Sequence, residues 1–336
     1  MVPALAVADA LRAEGAEVHF VGGERAEASQ VPEAGYPFHA LRMVALPRGR
    51  PLAAARAMGV DAKAVGGALR LLGDLSPAAV LGAGGYVAGP VSLAAVLRRT
   101  PLVLSEADSH LGLTNRLLAP MARRVCLAFP LEGRDGGRYR VTGRPVPTPY
   151  TDREAARGRF GIGPDETCIL VFGGSQGARS INQAALAAFT GAGFRVLHAA
   201  GERDLPELRS PGPHYDLRGY IERFGEALAA SDLVVARSGG SIFEIAAAAR
   251  PSVLIPYPYA TADHQAENAR YMEGAGAAVV IPDSELTGPR LAQEVGGLLA
   301  DPGRLATMGR AAGSLARPRA AAEIASEVLS AARRSG

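Results

Sequence analysis

Cys168-Ile-Leu-Val-Phe-Gly-Gly-Ser-Gln-Gly-Ala178 is an unbroken apolar run that ends in a glycine-rich turn and continues into a helical pattern. A short run with no polar residue on either face belongs to a strand covered on both sides, as in a parallel sheet. The turn that follows brings backbone amides within reach of an anion. The helix beginning at Ala178 adds unpaired N–H groups and the positive end of its dipole. No lysine follows at P-loop spacing, which excludes ATP or GTP bound by that device.

The same strand–turn–helix pattern recurs on both sides of this stretch. Strands are predicted near residues 195–198, 233–235, 252–255 and 278–281, and a last amphipathic helix from Arg319 to Arg333. Upstream, a helix over Pro3–Glu14 stops at Gly15, and a strand covers Glu17–Val21. Helices then fill 52–72, 87–97 and 113–122, between strands at 79–81, 102–104 and 140–142. Gly143-Arg-Pro-Val-Pro-Thr-Pro149 breaks the alternation with three prolines at every second position, a stiff extended connection between domains. The chain is therefore α/β, with two Rossmann-like domains whose parallel sheets face across a cleft. The expected boundaries are 1–146, joined by the C-terminal helix of about 318–336 packing back on it, and 147–317.

Composition agrees with this design. The 336 residues suit two domains at about 150 each. With 48% apolar and 21% charged residues, disorder and a coiled coil are ruled out. Cys126 and Cys168 form no metal-binding pattern, so no metal site is expected and a reducing compartment is the default. A net charge of +3 from 36 basic and 33 acidic residues is too even for a nucleic-acid footprint. No targeting segment is expected at the N-terminus. Leu75–Leu97 is free of charge, but its glycines and Pro90 favour a strand, loop and helix over a membrane span.

Three further places concentrate chemistry. Ala236-Arg-Ser-Gly-Gly-Ser-Ile-Phe-Glu244 is a second glycine turn opening a helix, with Arg237 as a fixed cation and Glu244 placed to accept ribose hydroxyls; Ser241 and Glu244 alternatively form only a capping box. Asp263-His-Gln-Ala-Glu-Asn268 lies beyond a strand's carboxyl end, where open α/β sheets bind ligands. Gln265 and Asn268 there suit sugar hydroxyls, whereas Asp263 reads as an N-cap. Ser105-Glu-Ala-Asp-Ser-His110 gathers Glu106, Asp108 and His110, of which one is a candidate general base. A competing reading takes Gly173-Gly-Ser-Gln-Gly177 as a nucleophile elbow, with Ser175 attacking and Asp232 and His264 in the acid and base order of a serine hydrolase. Arg42–Arg70 holds five arginines and Lys63 against Asp61 alone, and is interspersed with apolar residues. It is either a solvated helical face or a segment that lies on anionic headgroups.

Taken in order, these motifs resemble the MurG family of glycosyltransferases over nearly the whole chain. The resemblance rests on Gly82-Ala-Gly-Gly-Tyr-Val-Ala-Gly-Pro90, Leu113-Thr-Asn115, Gly173-Gly-Ser-Gln-Gly-Ala-Arg179 with Asn182, Arg237-Ser-Gly239 with Glu244-Ile-Ala-Ala247, and Asp263-His-Gln265 with Asn268-Ala269. It implies a GT-B fold and transfer of N-acetylglucosamine from UDP-N-acetylglucosamine to lipid I, an undecaprenyl-diphosphate-linked muramoyl-pentapeptide, with inversion and without cofactor or metal. It also implies a peripheral enzyme on the cytoplasmic face of the cell membrane, serving peptidoglycan synthesis. By resemblance, Ser175 and Gly239, Gly240 and Ser241 hold the diphosphate, Glu244 the ribose and the Ile221 backbone the uracil. Gln265 contacts the donor sugar, Asp108 approaches it from the other domain, and Arg237 stabilises the leaving group.

The sequence departs from the family at several points. The family's opening strand and Gly-Gly-Thr-Gly-Gly-His loop would precede Val2-Pro3. Their absence implies a first domain short by about ten to fifteen residues and lacking the expected loop histidine. Pro147 stands where the family has arginine, and Arg144 is read as its partial substitute. Ser105-Glu-Ala-Asp108 replaces His-Glu-Gln-Asn, and the turn before Glu244 is one residue shorter. The competing readings are a GT-B transferase with another lipid acceptor, the serine hydrolase, and a sugar-nucleotide-binding protein with impaired catalysis.

Overall fold

The computed structural model describes residues 1–24, 27–41, 51–84, 88–134, 136–174, 177–260 and 263–333, with backbone alone for 51–61. The chain divides into two compact units, Met1–Val146 with Arg317–Gly336 and Pro147–Ala316.

The first unit runs α1 (Val2–Ala13), β1 (Phe20–Gly22), α2 (Glu27–Glu33), β2 (Phe38–Ala40), α3 (Pro51–Leu75), β3 (Val80–Gly82), α4 (Ala88–Leu97), β4 (Leu102–Glu106), α5 (Leu113–Leu118), β5 (Arg124–Leu127) and β6 (Tyr139–Val141). Strands β3-β4-β5-β6 form one parallel sheet, while β1 and β2 pair separately. Alternation along β4 and β5 divides the core. Leu102, Leu104, Val125 and Leu127 pack with Leu72, Val91, Ala94 and Ala95 from α3 and α4. Val103 and Cys126 face the other way, against Val7 and Leu11 of α1 and a cluster at Ile324, Ala325 and Val328.

The second unit runs α6 (Arg153–Arg159), β7 (Cys168–Phe172), α7 (Arg179–Ala188), β8 (Arg195–Ala199), β9 (Tyr215–Arg218), α8 (Phe224–Ala230), β10 (Leu233–Ala236), α9 (Ile242–Ala247), β11 (Ser252–Leu254), α10 (His264–Gly274), β12 (Ala278–Val280), α11 (Gly288–Leu299) and α12 (Pro302–Ser314). A final helix, α13 (Ala320–Arg333), returns to the first unit. There Arg124 Nε and Arg140 Nη1 donate to Glu327 at 2.7 and 2.6 Å, fixing α13 to β5 and β6.

All six strands of the second unit are parallel, in the order β12-β11-β10-β7-β8-β9. Every residue of β7 is buried, which explains its continuous apolar run. The chain proceeds outward from β7 to β9 and then restarts on the opposite flank at β10. The switch point of this doubly wound sheet therefore lies between the carboxyl ends of β7 and β10, where a ligand crevice forms in such sheets.

Four elements were not legible in the sequence pattern. Pro32 inside α2 conceals a helix, and the three residues of β2 are too few to show a period. Strand β5 is only four residues, and β9 is an edge strand with Asp216 and Arg218 on its open side. The helix expected to reach residue 122 ends at Leu118, where Pro120 turns the chain into a 3₁₀ segment at Ala119–Met121.

Candidate functional site

The two glycine turns read from the sequence both emerge at the switch point, one after β7 and one after β10. Gly177 fixes the first. Its φ is +73°, and a methyl built there would lie 2.1 Å from the Ala200 carbonyl oxygen at the end of β8. Only glycine lets the turn rest on that strand end. Ser175, expected to hold a phosphate or to attack as a nucleophile, lies outside the described residues.

In the second turn the amides of Gly239, Gly240 and Ser241 donate to no acceptor among the described residues, whereas the carbonyls of Gly239 and Ser241 accept from Ile242 and Glu244. This is the arrangement of a helix start facing an anion. Ser241 occupies the N-cap of α9 without a side-chain cap bond, so the capping box considered from sequence is not formed by its hydroxyl. Glu244 stands half-buried in the first turn of α9. Ile221 is buried after β9, and its main chain makes no hydrogen bond among the described residues, leaving it open to read a base.

Two residues expected to touch ligand have other work. The Arg237 side chain is almost wholly buried. Its Nη1 donates to the carbonyls of Ile255 and Pro256 at 3.2 and 3.1 Å and to Asp283 at 2.5 Å, and Nη2 donates to Ser180 Oγ at 2.8 Å. Its guanidinium is neutralised by Asp283 and laces α7 and the ends of β10, β11 and β12 together, rather than serving as a loose cation for a leaving group. Asn268 is only 3% exposed and its Nδ2 donates to the Ser238 carbonyl at 2.9 Å, so it holds the turn. Ser238, which the sequence reading passed over, completes the stitch by donating to the Gln265 carbonyl at 2.7 Å. Gln265 Oε1 accepts from the Tyr257 amide at 3.0 Å, while its Nε2 lies toward Gly239. Asp263 is the N-cap of α10 in the left-handed region, without a side-chain cap bond. His264 is half-buried beside it.

The opposite end of the sheet excludes the hydrolase arrangement. Asp232 accepts from the amide of Cys168, the first residue of β7, at 2.9 Å, and from Arg153 and Arg157 at 2.6 and 3.4 Å. The glycine turn leaves β7 after Phe172, four residues beyond Cys168 and roughly 13 Å along the strand. Asp232 therefore sits at the far end of β7 from that turn and cannot orient a base there.

In the first unit the 105–115 loop is organised by Glu106. Its carboxylate accepts from the amides of Gly112 and Asp108 at 2.8 and 3.2 Å and from Asn115 Nδ2 at 2.9 Å. Glu106 is therefore the buried organiser of this loop, which corrects its assignment as a candidate base. Asp108 and His110 are half-buried, and their side chains make no hydrogen bond or ion pair among the described residues, the Asp108 amide alone being taken up by Glu106. Arg144 is half-buried at the start of the extended connection. No group of three or more His, Cys, Asp or Glu side chains able to hold a metal occurs among the described residues.

One surface had no counterpart in the sequence reading. Leu97 on α4 and Leu113 and Leu117 on α5 are 60%, 62% and 63% exposed, joined by Leu93 and Met121. Arg99, Arg116 and Arg123 are exposed nearby in sequence, and no acidic residue occurs between Ser109 and Leu131. The i, i+4 spacing of these leucines was legible, but such a stripe ordinarily marks a core face. The basic segment expected to meet a membrane lies outside the described residues at 42–50, and the side chains of 51–61 are likewise not described. No helix of the described residues is long and apolar enough to cross a membrane.

Comparisons with known proteins place the chain among glycosyltransferases. Residues 1–127 match the glycosyltransferase family 28 N-terminal domain, and residues 168–324 match the family 28 C-terminal domain. The chain is 41% identical over 335 residues to the UDP-N-acetylglucosamine--N-acetylmuramyl-(pentapeptide) pyrophosphoryl-undecaprenol N-acetylglucosamine transferase of Rubrobacter xylanophilus, covering 97% of this chain and 99% of that one. The protein of the same name from Alkalilimnicola ehrlichii is 42% identical over 343 residues, covering 98% and 95%. The crystal structure of Acinetobacter baumannii MurG superposes with a TM-score of 0.78 at 27% identity, covering 98% of this chain and 95% of that one.

Proposed function

The chain belongs to the MurG family of glycosyltransferases, with two Rossmann-like units of the GT-B type, and from that premise we propose that it transfers N-acetylglucosamine from UDP-N-acetylglucosamine to the muramoyl 4-hydroxyl of lipid I, forming lipid II. The observation that carries this reading is the row of unpaired amides at Gly239, Gly240 and Ser241, set at the switch point of the second unit.

These amides, together with Ser175 of the first glycine turn, take the diphosphate, Glu244 the ribose hydroxyls, the Ile221 main chain the uracil and Gln265 Nε2 the donor sugar. The acceptor hydroxyl attacks the anomeric carbon as the bond from that carbon to the β-phosphate oxygen breaks, inverting the configuration. Charge gathers on the departing UDP, where fixed amide dipoles stabilise it without reorganising. The acceptor proton passes to Asp108 or His110, titratable side chains that make no hydrogen bond among the described residues. UDP-N-acetylglucosamine is a substrate in this scheme, and no cofactor takes part.

Lipid I brings its acceptor sugar to a bilayer surface. The exposed leucines of α4 and α5, with Arg99, Arg116 and Arg123, suit anionic headgroups and the acyl boundary below them. Flotation with anionic liposomes is expected to be lost when Leu97, Leu113 and Leu117 become Ser; unchanged flotation removes this surface from the account.

The reaction is tested by transfer of radiolabelled N-acetylglucosamine to a lipid I analogue. Label in the lipid fraction, dependent on the muramoyl acceptor, is the expected result. UDP binding without transfer reduces the protein to a sugar-nucleotide binder, and transfer only to a different lipid redirects the acceptor assignment.

A further inference from the structure

Beneath the first glycine turn lies a buried polar chain that the reaction scheme does not use. His198 on β8 is fully buried; its Nδ1 is 2.7 Å from Tyr215 Oη on β9 and its Nε2 is 3.0 Å from Asn182 Oδ1 on α7. Asn182, also fully buried, donates through Nδ2 to the Ala200 carbonyl at 2.9 Å and to Asp204 Oδ2 at 3.1 Å.

Donor and acceptor chemistry fixes the direction of every bond. The Ala200 carbonyl and the Asp204 carboxylate can only accept, so the amide nitrogen of Asn182 faces them and Oδ1 faces His198. Nε2 of His198 must then carry the proton, which leaves Nδ1 as an acceptor for the Tyr215 hydroxyl. Burial lowers the pKa of His198 to about 4, in keeping with a neutral ring.

The chain ends on the carbonyl that matters. Ala200 O accepts from Asn182, in the first turn of α7, and is the same atom against which Gly177 seats. We propose that Asn182, held by His198 and Tyr215, is a positioning residue for the first glycine turn, locking the start of α7 to the carboxyl end of β8 and so holding Gly177 in its seat beside the pyrophosphate. Its effect on the donor is confined to the phosphates, because the uracil and ribose contacts assigned above come from other segments. The inference rests on the proposed donor site.

The test is calorimetry of UDP and of uridine against the full chain. Asn182→Ala is expected to weaken UDP by about tenfold while uridine changes less than about twofold, the scale of one lost buried hydrogen bond. Tyr215→Phe, which removes a single hydroxyl and keeps the ring, is expected to act in the same sense by about threefold, providing a folded variant if Asn182→Ala does not fold. The wild-type ¹⁵N spectrum should show His198 as the Nε2–H tautomer. Equal losses of UDP and uridine, or unchanged affinities with only a lower melting temperature, overturn the positioning role. An Nδ1–H tautomer overturns the chain itself. If the wild type binds neither UDP nor uridine, the donor reading fails and takes the positioning role with it, while the tautomer still reports on the chain.

Discussion

The two ends of the six-stranded sheet use the same residue types in opposite ways. At the amino end, backbone and charge are consumed internally. Asp232 ties the start of β7 to Arg153 and Arg157, and these arginines also donate to carbonyls at the end of α8, Ala229 and Ser231 from Arg153 and Ala230 from Arg157. At the carboxyl end, side chains fasten the loops while backbone amides are left over. Arg237, Ser238 and Asn268 bind the loops to one another, and the amides of Gly239, Gly240 and Ser241 are left without partners among the described residues. Around Asp232 the groups are paired with one another; around the turn after β10 the pairing leaves amides over.

Removing a partner at the amino end should have the largest effect on stability and none on binding. Asp232→Ala leaves the buried Arg157 guanidinium without its carboxylate and is expected to cost about 3 kcal/mol, discounted from the upper range because Asp232 itself is partly exposed. Urea unfolding measures the loss, and the affinity for UDP should be unchanged. A fall in UDP affinity matching the fall in stability would erase the distinction between the ends.

Acid probes the buried chain next to the carboxyl end. The pKa of His198 drops from the ordinary 6.5 to about 4 on folding because the ring is desolvated between Tyr215 and Asn182, with Asp204 beyond the amide. On acidification the unfolded chain therefore takes the proton first. The stabilisation from this group is complete above about pH 6.5, falls between 6.5 and 4, and is constant below. Between pH 7 and pH 4.5 the loss assigned to His198 is roughly 2–3 kcal/mol, and His198→Asn should lack this part of the slope. An identical slope in the variant places the titration elsewhere.

At the carboxyl end the effects belong to binding. Glu244→Ala is expected to weaken UDP by roughly 1–3 kcal/mol, the scale of a lost charged hydrogen bond, with little change in melting temperature. Unchanged affinity would show that Glu244 serves only its helix. Gln265→Ala should have the smallest effect, about 1 kcal/mol, confined to UDP-N-acetylglucosamine and absent for UDP. Equal losses for both ligands would move Gln265 away from the sugar.

The sheet and its turns were legible in the sequence because each depends on local pattern. The buried run of β7, the glycines of both turns and the prolines at 143–149 are visible without tertiary information. The division of labour at the site was not. Arg237 and Asn268 carry the chemistry of ligand contacts, and only the arrival of Asp283, Ser180 and Ser238 from distant parts of the chain reveals them as fasteners. Glu106 is likewise claimed by Gly112 and Asn115. His198 reads as one more residue of a buried strand until Tyr215 and Asn182 flank it. The leucines of α4 and α5 carry no pattern that sets them apart from a core face, and the folded unit leaves them outside.

The contrast between the two ends is tested most directly by amide chemical-shift mapping during a UDP titration of the full chain. The account predicts that the largest perturbations fall on Gly239, Gly240, Ser241, Glu244 and Ile221, while Arg153, Arg157, Cys168 and Asp232 stay in place. Perturbations centred on the amino-end group, with the turn after β10 silent, would contradict it.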